Sequence, residues 1–281
     1  MTIVLDEQSP REAREIIKLI NEGADSYLLL ETACMCHCIH RRNERLSENP
    51  SLSVQSGLFA GLILSHQKIG SELMPKIVGT YELEVQKELA HCIGQVDSFL
   101  DIGCAEGFYV AGVSRLMEIP SVGIDINPAS QQAIQFLAEA NALQGKIRFC
   151  DHLQDSHSHL RGKLLCLIDV DGNEVEALEN LNQFLKTSAS ISSCKLILET
   201  SGPFYGTQNT SELIHWLEEH HWTIIKVIDQ NYASRFQRIP NDASLLEWAS
   251  NVAEHRPGQQ KWIVASRQED NAKQPSPTMK F

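Results

Sequence analysis

The sequence predicts an α/β fold: a seven-stranded, mostly parallel sheet with an antiparallel last strand, preceded by a helical N-terminal segment. Two observations carry this. From Val96 onward, short apolar runs alternate with helical stretches, the pattern of βαβ units around a parallel sheet. The last two apolar runs are joined by Gln230 to Gln260, a long stretch without a crossover helix, which turns the final strand antiparallel. The chain divides into a helical segment at 1–86, a ligand-binding α/β domain at 87–267, and a polar, proline-bearing tail at 268–281 that is expected to be disordered.

Each element follows in order. Pro10 suits a first helical turn, with Ser9 as its cap, and Gly23 ends that helix. Tyr27 to His40 resumes helical spacing, Asn49-Pro50-Ser51 marks a turn, and further helices are expected over Leu58–Gln67 and Tyr81–Ile93. Strands are then expected at 98–103, 121–126, 146–150, 163–170, 195–199, 222–229 and 261–266. The intervening helices are expected at 108–117, 128–143, 173–186 and 211–220.

With 281 residues, 42% hydrophobic and 21% charged, the chain is long enough for one substantial core. Its formal net charge is −12 and it carries no Lys/Arg cluster able to neutralise phosphates, so no nucleic-acid partner is expected. Arg41, Arg42 and Arg45 read as a solvated helix face. The longest apolar patches fall short of a membrane span, and the N-terminus shows no signal pattern, so a cytoplasmic protein without membrane contact is expected. The eight cysteines accordingly read as thiols. The group Cys34, Cys36, His37, Cys38 and His40 lacks CxxC spacing and reads as buried helical thiols, so no metal site is expected.

The central motif is Phe99-Leu-Asp101-Ile-Gly103-Cys-Ala105-Glu-Gly107-Phe108-Tyr109, a strand, a small-residue turn and a helix start. Glycine permits the sharp turn and lets a ligand approach the main chain, while the helix start presents free N–H groups. Open α/β sheets bind ligands in the crevice beyond such strand ends. This turn resembles motif I of the class I S-adenosylmethionine-dependent methyltransferases, with alanine at the middle glycine position. The resemblance implies a Rossmann-like fold, S-adenosyl-L-methionine as cofactor, and binding roles for Asp101, Gly103, Ala105, Gly107 and Phe108. The nicotinamide motif Gly-x-Gly-x-x-Gly fits less well, because the spacing from Gly103 to Gly107 differs.

Asp125 follows Asp101 by 24 residues, at the end of the second strand. A carboxylate there accepts from ribose hydroxyls, and the resemblance assigns it that role with Asn127 beside it; a helix-capping role is the other reading of both. The resemblance puts Asp151, after the third strand, where it could accept from the adenine amine; a residue without a binding role is the other reading. Asp169-Val-Asp171-Gly172-Asn-Glu174-Val-Glu176 resembles the Asp-x-Glu-Gly-x-Glu segment of FkbM-like methyltransferases. As a calcium loop it fails, since its glycine falls at the fourth position rather than the sixth. Leu73 to Glu82 and Glu254 to Pro257 resemble flanking segments of a subgroup, which makes Tyr81 a candidate cofactor contact.

The resemblance implies methyl transfer to an oxygen or nitrogen of a small-molecule acceptor. Asp169 and Glu199 are the catalytic candidates, with Asp171, His37, His40 and His66 as further possible bases. The N-terminal helices are expected to form an acceptor pocket or lid with residues 230–260, or to pair two subunits as a homodimer. An NAD(P)-dependent oxidoreductase and a non-catalytic S-adenosylmethionine-binding protein are the alternative functions.

Overall fold

The structure is a computed structural model describing residues 18, 21–23, 52–67, 69–71, 73–200, 210–229 and 261–268. Seven strands form one sheet in the order β3-β2-β1-β4-β5-β7-β6. They are β1 (Ser98–Ile102), β2 (Ser121–Ile124), β3 (Ile147–Cys150), β4 (Gly162–Ile168), β5 (Ile191–Thr200), β6 (Thr223–Asp229) and β7 (Lys261–Gln268). Strands β1 to β5 pair in parallel, whereas β7 pairs antiparallel with both β5 and β6. The expected topology is therefore present, with the late strand inserted between its two neighbours. The helices are α1 (Leu73–Val78), α2 (Leu83–His91), α3 (Phe108–Met117), α4 (Ala129–Ala140), α5 (Glu174–Thr187) and α6 (Thr210–Glu219).

The strands β1, β4 and β5 read as continuous apolar runs because helices cover both faces of the sheet. Alternation along each strand divides the core in two. Phe99, Leu165, Leu167, Ile197 and Trp262 pack with Val110 and Val113 of α3 and Ile134 and Leu137 of α4. On the opposite face Leu100, Leu164, Cys166, Leu196 and Ile263 pack with Leu178, Leu181 and Phe184 of α5 and Leu213 and Leu217 of α6. Helix α5 places Glu174 and Glu176 in its first turn and Lys186 in its last, which complements its dipole.

One expectation is corrected. Leu58–Gln67 is not a helix: Leu52–Leu64 forms a hairpin-like turn with a bridge between Ser53 and Ile63. Val54 N–H donates to Leu62 O and Leu64 N–H to Leu52 O. Leu52, Val54, Leu62 and Leu64 are buried while Ser53 and Gln55 are exposed, a period of two that short apolar runs conceal. Gly57 and Gly61 take positive φ (82° and 81°), which a helix excludes. Side chains from the main fold tie the hairpin down: Arg115 donates to Ala60 O, and Asn141 bonds both the N–H and the carbonyl of Ile63. The hairpin, α1 and α2 share the core beneath α3, so residues from Leu52 onward are continuous with the sheet's own packing.

The helix expected over Tyr27–His40 with its Cys34–His40 group, the tail from Glu269 and the connection 230–260 lie outside the described residues. Cys92, Cys104, Cys150, Cys166 and Cys194 are buried free thiols, in line with the reduced reading. No helix among the described residues is long and apolar enough to cross a membrane.

Candidate active site

The chain leaves β1 toward β2 on one side and reaches β4 on the other, so a crevice opens beyond the carboxyl ends of β1 and β4. A cavity of about 690 Å³ occupies it. Its floor is the turn after β1. Gly103 N–H and Cys104 N–H both donate to Ile124 O, extending the β1–β2 ladder past the strand ends. Gly103 has φ +85°, and a Cβ there would lie 1.7 Å from the Asp169 carbonyl oxygen, so only glycine lets the β1 and β4 exits meet. Gly107 caps α3 at φ +86°, against Ile134 and Leu137. Between them Ala105 takes φ 47°, a left-handed conformation without glycine's freedom.

Asp125 fixes that turn. Its Oδ2 accepts from Ala105 N–H and its Oδ1 from Asn127 N–H, both at 2.7 Å. A carboxylate oxygen can accept more than one hydrogen bond, and Asp125 lines the cavity. Asn127 also lines the cavity, and its Oδ1 accepts from Ala129 N–H at the start of α4, so its helix-capping role is realised.

Asp101, the fourth residue of β1, is 1% exposed, and its Oδ1 is buried without a hydrogen-bond partner. Burial first, then the charges of Asp169, Asp125 and Glu82, hold its carboxyl well above the usual carboxylate range; Lys76 opposes them. Burial likewise raises the neighbouring Cys104 thiol well above its ordinary value.

The opposite wall comes from the α1–α2 connection. Tyr81, Phe108 and Tyr109 form an aromatic corner, with Tyr81 and Phe108 edge-to-face at 5.6 Å. Lys76 sits over the Tyr81 ring, 4.6 Å from its centroid, and pairs with Glu106; both side chains are 3% exposed. Glu82, 1% exposed and left-handed at φ 42°, accepts from the Tyr109 hydroxyl at 2.6 Å. Asp169 emerges half-buried just beyond β4, and one carboxylate oxygen each from Glu82, Asp169 and Glu199 lie within 4.8 Å of one another. Beyond Asp169, Asp171 (φ 36°) and Gly172 turn the chain into α5, and Glu174 folds back to accept the Gly172 N–H.

Of the residues singled out in the sequence, Asp101, Gly103, Ala105, Phe108, Asp125, Asn127, Asp169 and Tyr81 line this one cavity. Gly107 lies buried beneath it, and Glu199 is buried at the end of β5 beside Asp169. Asp151 is the exception. It lies exposed, with His152, one residue past the edge strand β3, and is not part of the lining. His66 is exposed, while His37 and His40 fall outside the described residues. Lys76, Glu82 and Glu106 were not singled out as site residues, because their pairing joins segments 27 to 30 positions apart that only the fold brings together.

No family model matches the chain, and no curated protein matches it. Several solved structures are similar to parts of the chain. The geranyl diphosphate C-methyltransferase of Streptomyces coelicolor, in complex with Mg2+, geranyl diphosphate and S-adenosyl-L-homocysteine, is 12% identical with a TM-score of 0.45. That match covers 68% of this chain and 82% of that one. StiE O-MT residues 961–1257 match at 12% identity and TM-score 0.45, covering 70% of this chain and 76% of that one. M. capricolum TrmK, in complex with S-adenosyl-homocysteine, matches at 13% identity and TM-score 0.40, over 65% and 67%.

Proposed function

We propose that the cavity binds S-adenosyl-L-methionine and that the chain transfers its methyl group to a small-molecule acceptor. The observation that carries this is the charge of the lining. Asp101, Asp125, Asp169, Asp171 and Glu176 face the cavity, and the one cation among the described lining residues, Lys76, is already paired with Glu106. A dinucleotide would bring a pyrophosphate into this field at a Coulombic cost; a ligand with a sulfonium and an ammonium group is attracted to it. The inserted antiparallel β7 also departs from the 3-2-1-4-5-6 order of dinucleotide-binding sheets.

The residues present fit that cofactor. The Gly103 turn admits close approach, Asp125 is held by two backbone N–H groups with acceptor capacity left for a ribose diol, and Tyr81 and Phe108 supply an apolar wall. The bound cofactor supplies an electrophilic methyl group on a sulfonium. The protein's work is then to orient an acceptor in line with it and exclude water. Asp169, at the mouth beyond β4, is placed to accept a proton from an acceptor hydroxyl or amine, with Glu199 close behind it. The acidic lining favours neutral or cationic acceptors over phosphorylated ones. The run from Asp169 to Glu176 resembles the Asp-x-Glu-Gly-x-Glu segment of FkbM-like methyltransferases, and that likeness supports a reading within that group.

Calorimetric titration with S-adenosylmethionine and S-adenosylhomocysteine, against NAD and NADP, tests the reading. Micromolar binding of the adenosyl compounds, with the cation preferred over the neutral thioether, is expected. Nicotinamide binding in their place would overturn it.

A further inference from the structure

Lys76 differs in charge from the rest of the cavity wall. Asp101, Asp125, Asp169, Asp171 and Glu176 make the lining acidic, and Lys76 is the one cation among the described lining residues. It stands on α1, while its ion-pair partner Glu106 belongs to the turn before α3. Glu106 does not line the cavity, whereas Lys76, Tyr81 and Phe108 do, so of the pair it is the lysine that borders the ligand space.

The ammonium lies 4.6 Å from the Tyr81 ring centroid and 5.5 Å from that of Phe108. It has three N–H donors, and Glu106 Oε1 is its one hydrogen-bond acceptor among the described residues. The ring faces attract the charge without taking a full hydrogen bond, which leaves donor capacity for a further acceptor. The start of α3 adds positive potential at the same wall. Phe108 is its first residue, no side-chain hydrogen bond caps it, and its first turn carries no acid. A ligand carboxylate entering the cavity is repelled by the lining acids and attracted where Lys76 and the start of α3 lie together.

We infer that Lys76 receives the carboxylate at the amino-acid end of the adenosyl cofactor and makes the site select ligands that keep that carboxylate. This rests on the cofactor reading above and adds an order of affinities that the acidic field alone would reverse. Removing the carboxylate makes the ligand more cationic by one charge, so the field by itself favours the decarboxylated compound. A carboxylate seat at Lys76 favours the intact one.

The test is calorimetric titration of the full-length protein, without acceptor, using S-adenosylmethionine and its decarboxylated analogue, which keeps the sulfonium and the amine. Wild type should bind S-adenosylmethionine about tenfold or more tightly than the analogue, the scale of one charge-assisted hydrogen bond. Lys76→Met combined with Glu106→Gln removes both charges of the pair together. It should weaken S-adenosylmethionine about tenfold or more and leave the analogue within about twofold. Lys76→Arg keeps the charge and should keep the preference. Binding of the analogue shows that the double variant is folded; if that fails, Lys76→Gln, whose amide can still donate to Glu106, takes its place. A wild type that binds the analogue as tightly as S-adenosylmethionine, or more tightly, overturns the inference. That is also the result expected if Lys76 serves a carboxylate of the acceptor instead. A neutral variant that keeps the preference, or that weakens both ligands equally, overturns it as well. Adenosyl binding without the preference rejects the role of Lys76 alone; binding of neither compound rejects the cofactor reading and this inference with it.

Discussion

Gly103→Ala isolates what the turn after β1 demands, when set beside Gly145→Ala. Both glycines have left-handed φ, +85° and +77°, so alanine meets the same backbone penalty at each, about 1–2 kcal/mol. Their surroundings differ. A Cβ at Gly145 meets nothing within 4 Å, whereas one at Gly103 would lie 1.7 Å from the Asp169 carbonyl oxygen and 2.7 Å from its carbon. The contact is backbone against backbone, so the β4 exit must shift by roughly 1 Å or more, adding about 1–3 kcal/mol of overpacking. Gly103→Ala should therefore destabilise by about 2–5 kcal/mol and Gly145→Ala by about 1–2 kcal/mol, read from urea unfolding midpoints at equal m-value. The displaced carbonyl belongs to Asp169, so the adenosyl ligand should also bind at least tenfold more weakly to Gly103→Ala and unchanged to Gly145→Ala. Equal losses in the two variants would refute the reasoning, because strain alone would then explain the glycine and no close approach would be needed.

Other outcomes follow from the same site. Asp125→Asn keeps the shape but turns one of the two acceptor oxygens into a donor, so one of the bonds from Ala105 and Asn127 is lost and the other loses its charge; thermal unfolding should show a loss of about 1–3 kcal/mol and calorimetry a tenfold or greater loss of cofactor affinity. Asp101 has its carboxyl pKa raised in the fold, so the native state binds more protons than the unfolded one. Stability should fall as pH rises from the ordinary carboxylate range through the raised native value; Asp101→Asn should flatten that fall in chemical denaturation at stepped pH. A cationic ligand lowers the same pKa, so its binding should release a proton, seen as a dependence of calorimetric heat on the buffer's ionisation enthalpy. Lys76→Met strands buried Glu106 and should cost about 3–5 kcal/mol in urea unfolding, much of it recovered by adding Glu106→Gln.

The sheet was legible because its strands are short apolar runs punctuated by Gly103, Gly172 and helix-spaced segments, and helix α3 falls where the spacing puts it. The Asp101-to-Gly107 turn and Asp125 were legible because a strand–turn–helix ligand site is a local motif, set within about two dozen residues. The hairpin at Leu52–Leu64 was hidden because its two arms are three or four residues long, too short for period two to show against a helix. Glu82 meets Glu199 only in the fold: they lie far apart in the sequence, a juxtaposition that no spacing rule encodes. Asp151 misled for the opposite reason: it satisfied a motif position, yet β3 ends at Cys150 and leaves it facing solvent.

The backbone itself separates the site from the scaffold. Among the described residues, the non-glycine positions with positive φ are Glu82, Ala105, Glu118, Ala142, Asp171 and His221. Glu118, Ala142 and His221 follow the ends of α3, α4 and α6, where a left-handed residue lets the chain close its last turn. Leu143 N–H bonded to Ala138 O and Trp222 N–H bonded to Leu217 O are such closures. Glu82, Ala105 and Asp171 end no helix; all three border the acidic cavity or its carboxylate cluster. Each is a cost on the order of 1–2 kcal/mol, somewhat less for Asp171, borne where Asp101 is also orphaned and Lys76 is buried with Glu106. Strain, unpaired buried oxygen and concentrated negative charge are separately unfavourable to folding, and their coincidence at one place is what folding alone would remove. The proposed cationic ligand, seated among these groups, would offset the last two directly, so its binding should raise the protein's stability above that of the ligand-free form.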